Sequence, residues 1–309
     1  MSAIRSFSVR VSQVVRLSPS YQRITLTGPD LADFGTGGPL GTRDLRVKLM
    51  LPAPGTELPD LSNLTNGWYQ RWLALPAERR GAMRTYTVRR ITGSGPDRRL
   101  EIDFVLHVDQ HGGGGPATTW ANAAQVGDQV TLLGPSADAE GYGGITWRPP
   151  EPVDGRPVRL LLAGDETAVP AVGAVLESLP RGYRGHAVLE VPYADDFCQL
   201  PSAADLKVTW LARGSRPHGE QLVETVAGVL AQAARPGARC RVEPQDDGPE
   251  DLLWDVPDPD VEAAEDWYAW VAGETALVRS LRQLVRSTVP ERGRTAFMGY
   301  WRHGTPEGP

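Results

Sequence analysis

The sequence contains little cysteine and little lysine, and both shortages limit the sites that it could form. Its two cysteines, Cys198 and Cys240, are far apart and belong to no CxxC motif or cysteine–histidine cluster. A disulfide, a zinc site or an iron–sulfur cluster is therefore not expected, and both side chains are interpreted as small core hydrophobes. The only lysines are Lys48 and Lys207, so arginine carries nearly all of the positive charge.

Long apolar runs are also absent. No segment approaches the roughly 20 residues of a membrane-spanning helix, and the N-terminus MSAIRSFSVRV lacks the apolar core of a signal peptide. We therefore expect a cytoplasmic protein without stable membrane insertion. The hydrophobic content of 40% and the charged content of 23% are typical of a globular protein.

Charge is distributed unevenly along the chain. Residues 1–150 carry 16 basic and 13 acidic side chains, whereas residues 151–309 carry 16 basic and 25 acidic ones. Eleven of these acids lie between Glu243 and Asp266, a stretch that we interpret as a solvated loop. The asymmetry supports two domains and favours the first half for any anion-binding site. With a net charge of −6 and no basic stripe, nucleic acid is not an expected partner.

The order of the predicted elements indicates two domains, residues 1–150 and 151–309. The first half holds six short strand-like segments separated by Gly, Pro and Asp turns, which predict an antiparallel six-stranded β-barrel. Helices are expected in PATTWANAAQ and in GWYQRWLALPAERR. After the connector GYGGITWRPPEPVDGRP, strands alternate with helices, which predicts a doubly wound parallel sheet.

Two segments of the first half have the chemistry of a flavin nucleotide site. In MRTYTVRR, Arg84 and Tyr86 share a strand face, so a guanidinium that can pair with phosphate lies near a ring that can face an aromatic ligand. Thr87 and the adjoining backbone can bond the polar edges of that ligand. Arg89 and Arg90 of this segment are interpreted as surface charge. An ordinary half-exposed strand with a cross-strand aromatic is the alternative.

The second segment, LHVDQHGGGGPATTWA, has four consecutive glycines before a helix that starts at Pro116. Glycines allow close backbone approach, and a helix N-terminus offers unpaired N–H groups to phosphate, here with Thr118 and Thr119 nearby. A flexible surface loop is equally compatible with the glycines.

Together with LLLAGDETAVPAV, AWVAGETALVRSLRQLV and MGYWRHG, these segments resemble the siderophore-interacting protein family of FAD-binding ferric-siderophore reductases, within the ferredoxin-reductase-like group. The resemblance extends from about residue 5 to residue 304. It implies an FAD-binding barrel followed by an NAD(P)H-binding-like α/β domain.

The resemblance also implies roles for individual residues. Tyr86 would stack on the flavin, which Arg84 and Thr87 would hold, and His107 would meet the ribityl or pyrophosphate region. The other implied cofactor-binding residues are Gly115, Pro116, Ala117, Thr119, Asp165, Glu166, Thr167, Trp301 and Arg302. Helix capping by Asp165 and core packing by Trp301 are the structural alternatives. Lys48 matches a lysine that family members use for the anionic siderophore, with Arg43, Arg46 and Arg241 as further candidates.

The leading hypothesis is therefore an FAD-dependent reductase of ferric siderophores, supplied with electrons by NADPH, NADH or ferredoxin. We expect a monomer with no bound metal and no catalytic acid or base, since electrons pass through the flavin. One alternative is a flavin or ferredoxin–NADP-type oxidoreductase with a protein partner. Another is a non-catalytic, flavin-containing siderophore-binding protein.

Overall fold

The computed structural model describes nine stretches of the chain, namely residues 4–36, 41–53, 55–58, 67–107, 114–139, 144–233, 253–257, 267–288 and 294–304. The chain divides into two compact units between Ile145 and Thr146. Within the described residues, no helix has both the length and the apolar character that crossing a membrane requires.

The N-terminal unit is built around an antiparallel sheet. Its strands are β1 (Ile4–Arg16), β2 (Tyr21–Thr27), β3 (Arg46–Leu51), β4 (Ala82–Thr87), β5 (Arg90–Thr92), β6 (Arg99–Val105) and β7 (Gln129–Pro135). They are ordered β4-β3-β7-β1-β2-β6-β5, and every pair is antiparallel. The sheet thus has seven strands where the sequence predicted six, because the segment RTYTVRRI is divided between β4 and β5.

The break between β4 and β5 has a backbone explanation. The N–H of Val88 donates to the carbonyl of Leu45 beside β3, whereas the N–H of Arg89 donates to Glu101 of β6. The chain therefore changes its hydrogen-bonding neighbour within two residues. The two end strands of the sheet order are consequently consecutive in the chain, and the sheet is strongly curled.

In the part of this unit that the structure describes, three α-helices accompany the sheet. They are α1 (Trp68–Leu73), α2 (Ala77–Arg80) and α3 (Pro116–Ala123). The segment GWYQRWLALPAERR was predicted as one helix and forms two, because Pro76 has an extended backbone and ends the first. The prediction for α3 is confirmed, with Pro116 in its first turn.

The core of the N-terminal unit comes from the alternating apolar residues of its strands. Phe7, Ile24, Leu49, Ile102 and Phe104 are all fully buried within one cluster. Burial of an apolar side chain of this size stabilises the fold by about 1.5–3 kcal/mol. This cluster holds β4 and α3 in fixed positions relative to each other.

The C-terminal unit contains a mixed, mainly parallel sheet. Its elements are β8 (Val158–Gly164), α4 (Val169–Ser178), β9 (Tyr183–Val191), β10 (Asp205–Ala212), α5 (Glu220–Ala233), β11 (Trp254–Asp255), β12 (Trp267–Glu274), α6 (Thr275–Thr288) and β13 (Arg294–Trp301). The sheet order is β10-β9-β8-β12-β13-β11, with only β11 antiparallel to its neighbour. Helices α5 and α6 pack together and cover one face with Leu222, Val226 and Leu281.

The prediction of a solvated loop between Glu243 and Asp266 is wrong for the residues of this stretch that the structure describes. Residues 253–257 include strand β11, which pairs with Phe297 and Met298 of β13. Asp255 accepts from Arg282 at 2.8 Å and from Arg286 at 2.6 Å. An acid from this run therefore anchors an edge strand to α6.

Two further expectations about single residues are corrected. Cys198 is exposed rather than part of the core, and Cys240 lies outside the described residues. Arg89 is only 6% exposed, and its guanidinium lies 3.9 Å from Asp103, so it is not surface charge. Arg90, in contrast, is exposed as expected.

Candidate functional site

Strand β4 presents the predicted flavin-binding residues on defined faces. Arg84 and Tyr86 lie opposite Leu49 and Val47 of β3, both of which are buried in the N-terminal core. Because cross-strand partners point to the same face, Arg84 and Tyr86 share the core-facing side of β4. Both side chains are half-buried, while Thr87 is buried.

The ring of Tyr86 is fixed by an aromatic cluster. Its centroid lies 4.3 Å from that of Phe104 on β6, and the ring of Phe104 lies 5.5 Å from that of Trp120 on α3. The distance between Phe104 and Trp120 is typical of aromatic pairs, and the rings of Tyr86 and Phe104 are in still closer contact. The cluster brings the tyrosine of β4 and the helix that follows the glycine segment into one rigid part of the unit.

The N-terminus of α3 is accessible. A Cβ built on Gly115 would meet nothing within 4 Å, so the space in front of the first turn is open. At Gly114 the same atom would lie 2.6 Å from the Thr118 methyl and 2.8 Å from the carbonyl of His107, so glycine is required there. The first amides of a helix have no intrahelical acceptor. The turn thus offers N–H groups to an anion, while the exposed Thr119 hydroxyl donates to the carbonyl of Gly114 at 3.2 Å.

His107 lies next to this turn, as its carbonyl contact with Gly114 indicates, and its side chain is exposed. The glycines at 112 and 113 lie outside the described residues. Pro116 and Ala117 form the first turn of α3. The structure therefore brings the His107 backbone and residues 115–119 together.

Three of the four residues predicted for siderophore binding, Arg43, Arg46 and Lys48, lie in β3 or shortly before it. The exposed Lys48 ammonium lies 3.2 Å from the Thr85 hydroxyl of β4. Arg46 donates to the carbonyl of Gly144 at 3.2 Å, and Arg43 is half-buried with a left-handed backbone (φ 50°). Arg241 lies outside the described residues.

In the C-terminal unit, Asp165 joins several strand ends. This carboxylate is fully buried where β8 ends. One oxygen accepts from the N–H and the hydroxyl of Thr167 at 2.9 and 2.5 Å. The other accepts from the N–H of Glu274 at 2.7 Å and from the indole N–H of Trp301 at 3.0 Å. Asp165 therefore links the ends of β8, β12 and β13.

Strands β8 and β12 end in similar segments, LLAGDET and WVAGET, and each needs its glycine for close approach. A Cβ on Gly164 would lie 2.4 Å from the carbonyl oxygen of Ala272, and one on Gly273 would lie 2.7 Å from the Asp165 carboxylate. Gly273 also has a φ of 146°, which other residues rarely adopt. The similarity of LLAGDET and WVAGET thus reflects two strand ends that meet at the same sheet edge.

The predicted site residues of this unit differ in their burial and in their contacts. Asp165 does not cap α4, whose N-cap is Ala168 and has no side-chain hydrogen bond. Trp301 is half-buried, and its indole N–H donates a hydrogen bond to Asp165. Its backbone carbonyl accepts a hydrogen bond from the Thr275 hydroxyl at 2.9 Å. Arg302 is half-exposed directly after β13. Where parallel strands end at one edge, open α/β sheets bind their ligands.

A network of charges surrounds Asp165. Arg213, after β10, donates to both oxygens of the buried Glu166 at 3.0 Å each and to Glu190 at 3.3 Å. The imidazole Nε2 of His218 lies 3.3 Å from Asp165, and its ring is 5.5 Å from that of Trp301. A buried network of this kind contains mutually compensated charges.

This network shifts the pKa values of His218 and Asp165. Burial alone would lower the pKa of His218, but the carboxylates of Asp165 and Glu166 outweigh it and raise that pKa above 6.5. Burial alone would raise the pKa of Asp165, but His218, Thr167 and the Glu274 amide together lower it below 3.8. The two side chains therefore form an ion pair at mildly acidic pH.

Asp165, Glu166 and His218 place ligand atoms within 4.8 Å of one another, close enough to share a metal ion. However, both oxygens of Asp165 already accept hydrogen bonds, and Glu166 is held at both oxygens by Arg213. A cation would have to displace these donors, including an arginine. We therefore interpret the group as an internal ion network.

Sequence reasoning missed Glu190, Arg213 and His218. Glu190 lies near the end of β9, Arg213 directly follows β10, and His218 lies shortly before α5. The parallel order of β8, β9 and β10 brings these three residues close to Asp165. Their position near strand ends was an available signal, because ligands of α/β sheets bind at that edge.

Comparison with known proteins agrees with this architecture. Residues 10–139 match the siderophore-interacting FAD-binding domain, and residues 158–304 match the siderophore-interacting protein model. The ferric vibriobactin reductase ViuB of Vibrio cholerae is 29% identical over 94% of this chain and 87% of its own. The NADPH-dependent ferric-chelate reductase of Escherichia coli is 26% identical over 96% and 93%.

Solved structures support the same assignment. The siderophore-interacting protein SipS from Aeromonas hydrophila superposes with a TM-score of 0.64 at 29% identity, covering 98% of this chain and 94% of that one. At the level of fold alone, ferredoxin–NADP⁺ reductase from Plasmodium falciparum gives a TM-score of 0.52 at 9% identity over 94% and 95%. The fold is thus ferredoxin-reductase-like, its N-terminal unit is an FAD-binding domain, and the chain belongs to the siderophore-interacting protein family.

Proposed function

We propose that this protein is an FAD-dependent reductase that releases iron from ferric siderophores as Fe(II), using electrons from NADPH or NADH. The observation that carries the proposal is the site on the N-terminal unit. There β4 presents Arg84, Tyr86 and Thr87, and an aromatic cluster ties them to the accessible N-terminus of α3. In a chain that aligns over 94% of its length with a ferric vibriobactin reductase, these parts fit one long flavin dinucleotide.

The residues present fit FAD in their chemistry. Tyr86 supplies a ring held by Phe104 for the isoalloxazine, and Arg84 and Thr87 supply donors on the same strand. The open space at Gly115 admits a pyrophosphate to the first amides of α3, with Thr119 beside it. His107 borders this turn through its carbonyl.

Bound FAD, which Arg84, Tyr86 and Thr87 would hold, would supply the redox chemistry that connects the nicotinamide, a hydride donor, with Fe(III), a one-electron acceptor. Siderophore oxygen donors are hard ligands, so they hold Fe(II) much less tightly than Fe(III), and reduction releases the metal. The protein's part is to place the cofactor and substrate, and we assign no catalytic acid or base.

Further assignments complete the proposal. Residues 1–150 form the FAD domain, in which β4 and β5 act as one bent strand that closes a six-stranded barrel. Residues 151–309 form a doubly wound, NAD(P)H-binding-like domain, with Asp165, Glu166, Thr167, Trp301 and Arg302 close to the cofactors.

Lys48, with Arg43, Arg46 and Arg241, attracts the anionic chelate. The protein acts as a cytoplasmic monomer.

The test is an assay in which a chromogenic chelator traps Fe(II) from a ferric siderophore. NADPH, NADH and reduced ferredoxin are supplied in turn to the purified protein. We expect Fe(II) with a nicotinamide donor, and none from the variant Arg84→Ala/Tyr86→Ala, which should purify without flavin. The matched control, Arg90→Ala, removes an exposed arginine near the same strand and should retain both flavin and activity.

Two results would contradict the proposal. If no donor produced Fe(II) above the rate without protein, the reductase assignment would be wrong. If the double variant kept its full flavin content, Arg84 and Tyr86 would not belong to the cofactor site.

A further inference from the structure

Strands β9 and β10 end side by side at the edge of the C-terminal sheet where its parallel strands end. Just beyond the strands, the N–H of Arg213 donates to the carbonyl of Val191 at 2.8 Å. The N–H of Gly214 donates to the carbonyl of Pro192 at 3.0 Å. Because these hydrogen bonds continue past both strand ends, the loop after β9 and the loop after β10 leave the sheet next to each other.

The sheet order indicates which part of a dinucleotide this place would hold. In a doubly wound sheet, a dinucleotide lies across the point where the strand order reverses, and one ribose reaches the end of the second strand. Here the order β10-β9-β8-β12 puts the reversal between β8 and β12 and makes β9 the second strand. The adenosine ribose of a nicotinamide donor would therefore lie beside the loops after β9 and β10. Its 2′ position carries a hydroxyl in NADH and a phosphate in NADPH.

Tyr193, in the loop after β9, presents an aromatic ring at this place. The residue is 57% exposed. Its N–H donates to the carboxylate of the buried Asp196 at 3.0 Å, which fixes the backbone that carries the ring. An exposed ring of this kind offers a stacking face to a nucleobase. This feature points to the adenosine independently of any charge.

The arginine nearest to this place is already paired with acids. Arg216, in the loop after β10, is exposed, and its guanidinium lies 3.6 Å from Glu220 and 3.9 Å from Glu224. Both acids are exposed on the first two turns of α5. A 2′-phosphate carries nearly two negative charges near pH 7 and is held by a free arginine fork. Here it would meet two carboxylates and an arginine that they already hold.

The other cations of the two loops are also engaged. The loop after β9 contains no basic residue, and the loop after β10 contains two besides the paired arginine. Arg213 donates to Glu166 and Glu190. The imidazole of His218 faces Asp165 at 3.3 Å. In these two loops, all of whose residues the structure describes, every cationic side chain thus already faces a carboxylate.

Exposed acids at this edge can instead serve a ribose hydroxyl. In NAD-binding sheets, a carboxylate at this position accepts a hydrogen bond from the 2′-hydroxyl. Glu190 is not available for this role, because it is fully buried and accepts from the N–H of Gly219 at 2.8 Å. Asp195, Glu220 and Glu224 are exposed. The charges at this edge therefore favour a hydroxyl over a phosphate at the 2′ position.

We propose that the nicotinamide donor of this protein is NADH, and that Glu220 and Glu224 set this preference by holding Arg216 and repelling a 2′-phosphate. Specificity often depends on disfavouring the wrong ligand as well as on binding the right one. The inference rests on the proposed function, which requires a nicotinamide donor, and it selects between the two that this function leaves open.

The test uses the full-length, flavin-loaded protein and two nucleotides that represent the adenosine ends of the donors. 5′-AMP has the 2′-hydroxyl of NADH, and 2′,5′-ADP has the 2′-phosphate of NADPH. Titration calorimetry measures both affinities. We expect 2′,5′-ADP to bind at least about tenfold more weakly, because its second phosphate meets two carboxylates. NADH should correspondingly bleach the flavin with a higher kcat/KM than NADPH.

The variant Glu220→Gln/Glu224→Gln releases Arg216 from both ion pairs and should reverse the preference, so that 2′,5′-ADP binds more tightly than 5′-AMP. Adding Arg216→Ala to this variant should remove the gain. The control Glu151→Gln/Asp205→Asn neutralises two exposed acids outside the two loops and should keep the wild-type preference.

The inference is overturned if the wild type binds 2′,5′-ADP at least as tightly as 5′-AMP. It is also overturned if the control shifts the preference as much as the double variant does. A failure of the reductase assignment would look different. If 5′-AMP is preferred as expected but no donor yields Fe(II), the preference at this edge stands and the reductase assignment is wrong. If reduced ferredoxin yields Fe(II) while neither nucleotide binds, the reductase assignment stands and this inference is wrong.

Discussion

At the residue scale, Asp165 connects the ends of three strands in the C-terminal unit. The sequence predicts it near the cofactors, and the structure shows the contacts with the chain that fix its position. It holds Thr167, Glu274 and Trp301 together and faces His218. An acid at a sheet edge can thus be essential because it fixes the positions of other residues.

We predict that Asp165→Asn lowers the free energy of unfolding by about 3 kcal/mol, as expected for removing one member of a buried ion pair. Asparagine has nearly the same shape but cannot compensate the charge of His218. Thermal and denaturant unfolding of both forms would measure the loss. The control Asp195→Asn changes an exposed acid in the same unit and should stay within about 0.5 kcal/mol of the wild type.

The His218–Asp165 pair should also make stability depend on pH. The raised pKa of His218 means that its contribution is complete below pH 6.5 and is lost as the pH rises through the folded-state value. The lowered pKa of Asp165 means that its contribution is present above pH 3.8 and is lost as the pH falls through its folded-state value.

We therefore expect the stability difference between the wild type and His218→Gln to be greatest between pH 3.8 and 6.5, and to decline toward alkaline pH. Unfolding midpoints of both proteins across pH would measure it. A difference that stays constant through neutral and alkaline pH would show that the ion pair does not form.

At the element scale, the N-terminal turn of α3 is the part of the flavin site that can be tested with least disturbance of the core. Gly115 has a φ of −58°, which any residue adopts, and a Cβ there meets no atom within 4 Å. A larger side chain would therefore fill the proposed pyrophosphate space without straining the unliganded protein.

We predict that Gly115→Leu weakens FAD binding by about tenfold or more, because a hydrogen-bonded anion at a helix N-terminus cannot tolerate a displaced position. Titration of the flavin-free protein with FAD would measure this. Gly228→Leu, at another glycine with open surroundings but within α5, should bind FAD normally. Unchanged binding in Gly115→Leu would place the pyrophosphate elsewhere.

The elements that the sequence predicted well are those with a strong local pattern. The alternating strands of the first half, the proline-started α3 and the repeated strand–helix order of the second half could all be predicted. Strand β11 could not, because it is two residues long and its pairing with β13 depends on residues more than 40 positions away. The division of RTYTVRRI also depends on distant partners, Leu45 and Glu101.

In the candidate site too, the sequence predicted local features better than contacts between residues that are distant in the chain. Arg84, Tyr86 and the glycine segment could be identified because their chemistry is contained in short stretches. The burial of Arg89 depends on Asp103 of β6, and the partners of Asp165 come from three other strands or their loops. Contacts of this kind become visible only when the sheet order is known.

At the scale of the whole molecule, the central claim is that one chain carries electrons from a nicotinamide through FAD to siderophore-bound iron. The N-terminal unit is an FAD-binding domain, and the C-terminal unit has a mixed, mainly parallel sheet, a type of sheet that binds ligands where its strands end. The two units therefore need to be tested together, in the intact flavin-loaded protein.

The most direct measurement follows the visible absorbance of the flavin in the absence of oxygen. We predict that NADPH or NADH bleaches the oxidised flavin, and that a ferric siderophore added next restores the absorbance while Fe(II) appears in proportion. Gallium in place of iron in the siderophore should restore nothing, because Ga(III) is not reduced. A flavin that is bleached by the nicotinamide but does not recover with the ferric siderophore would contradict the account.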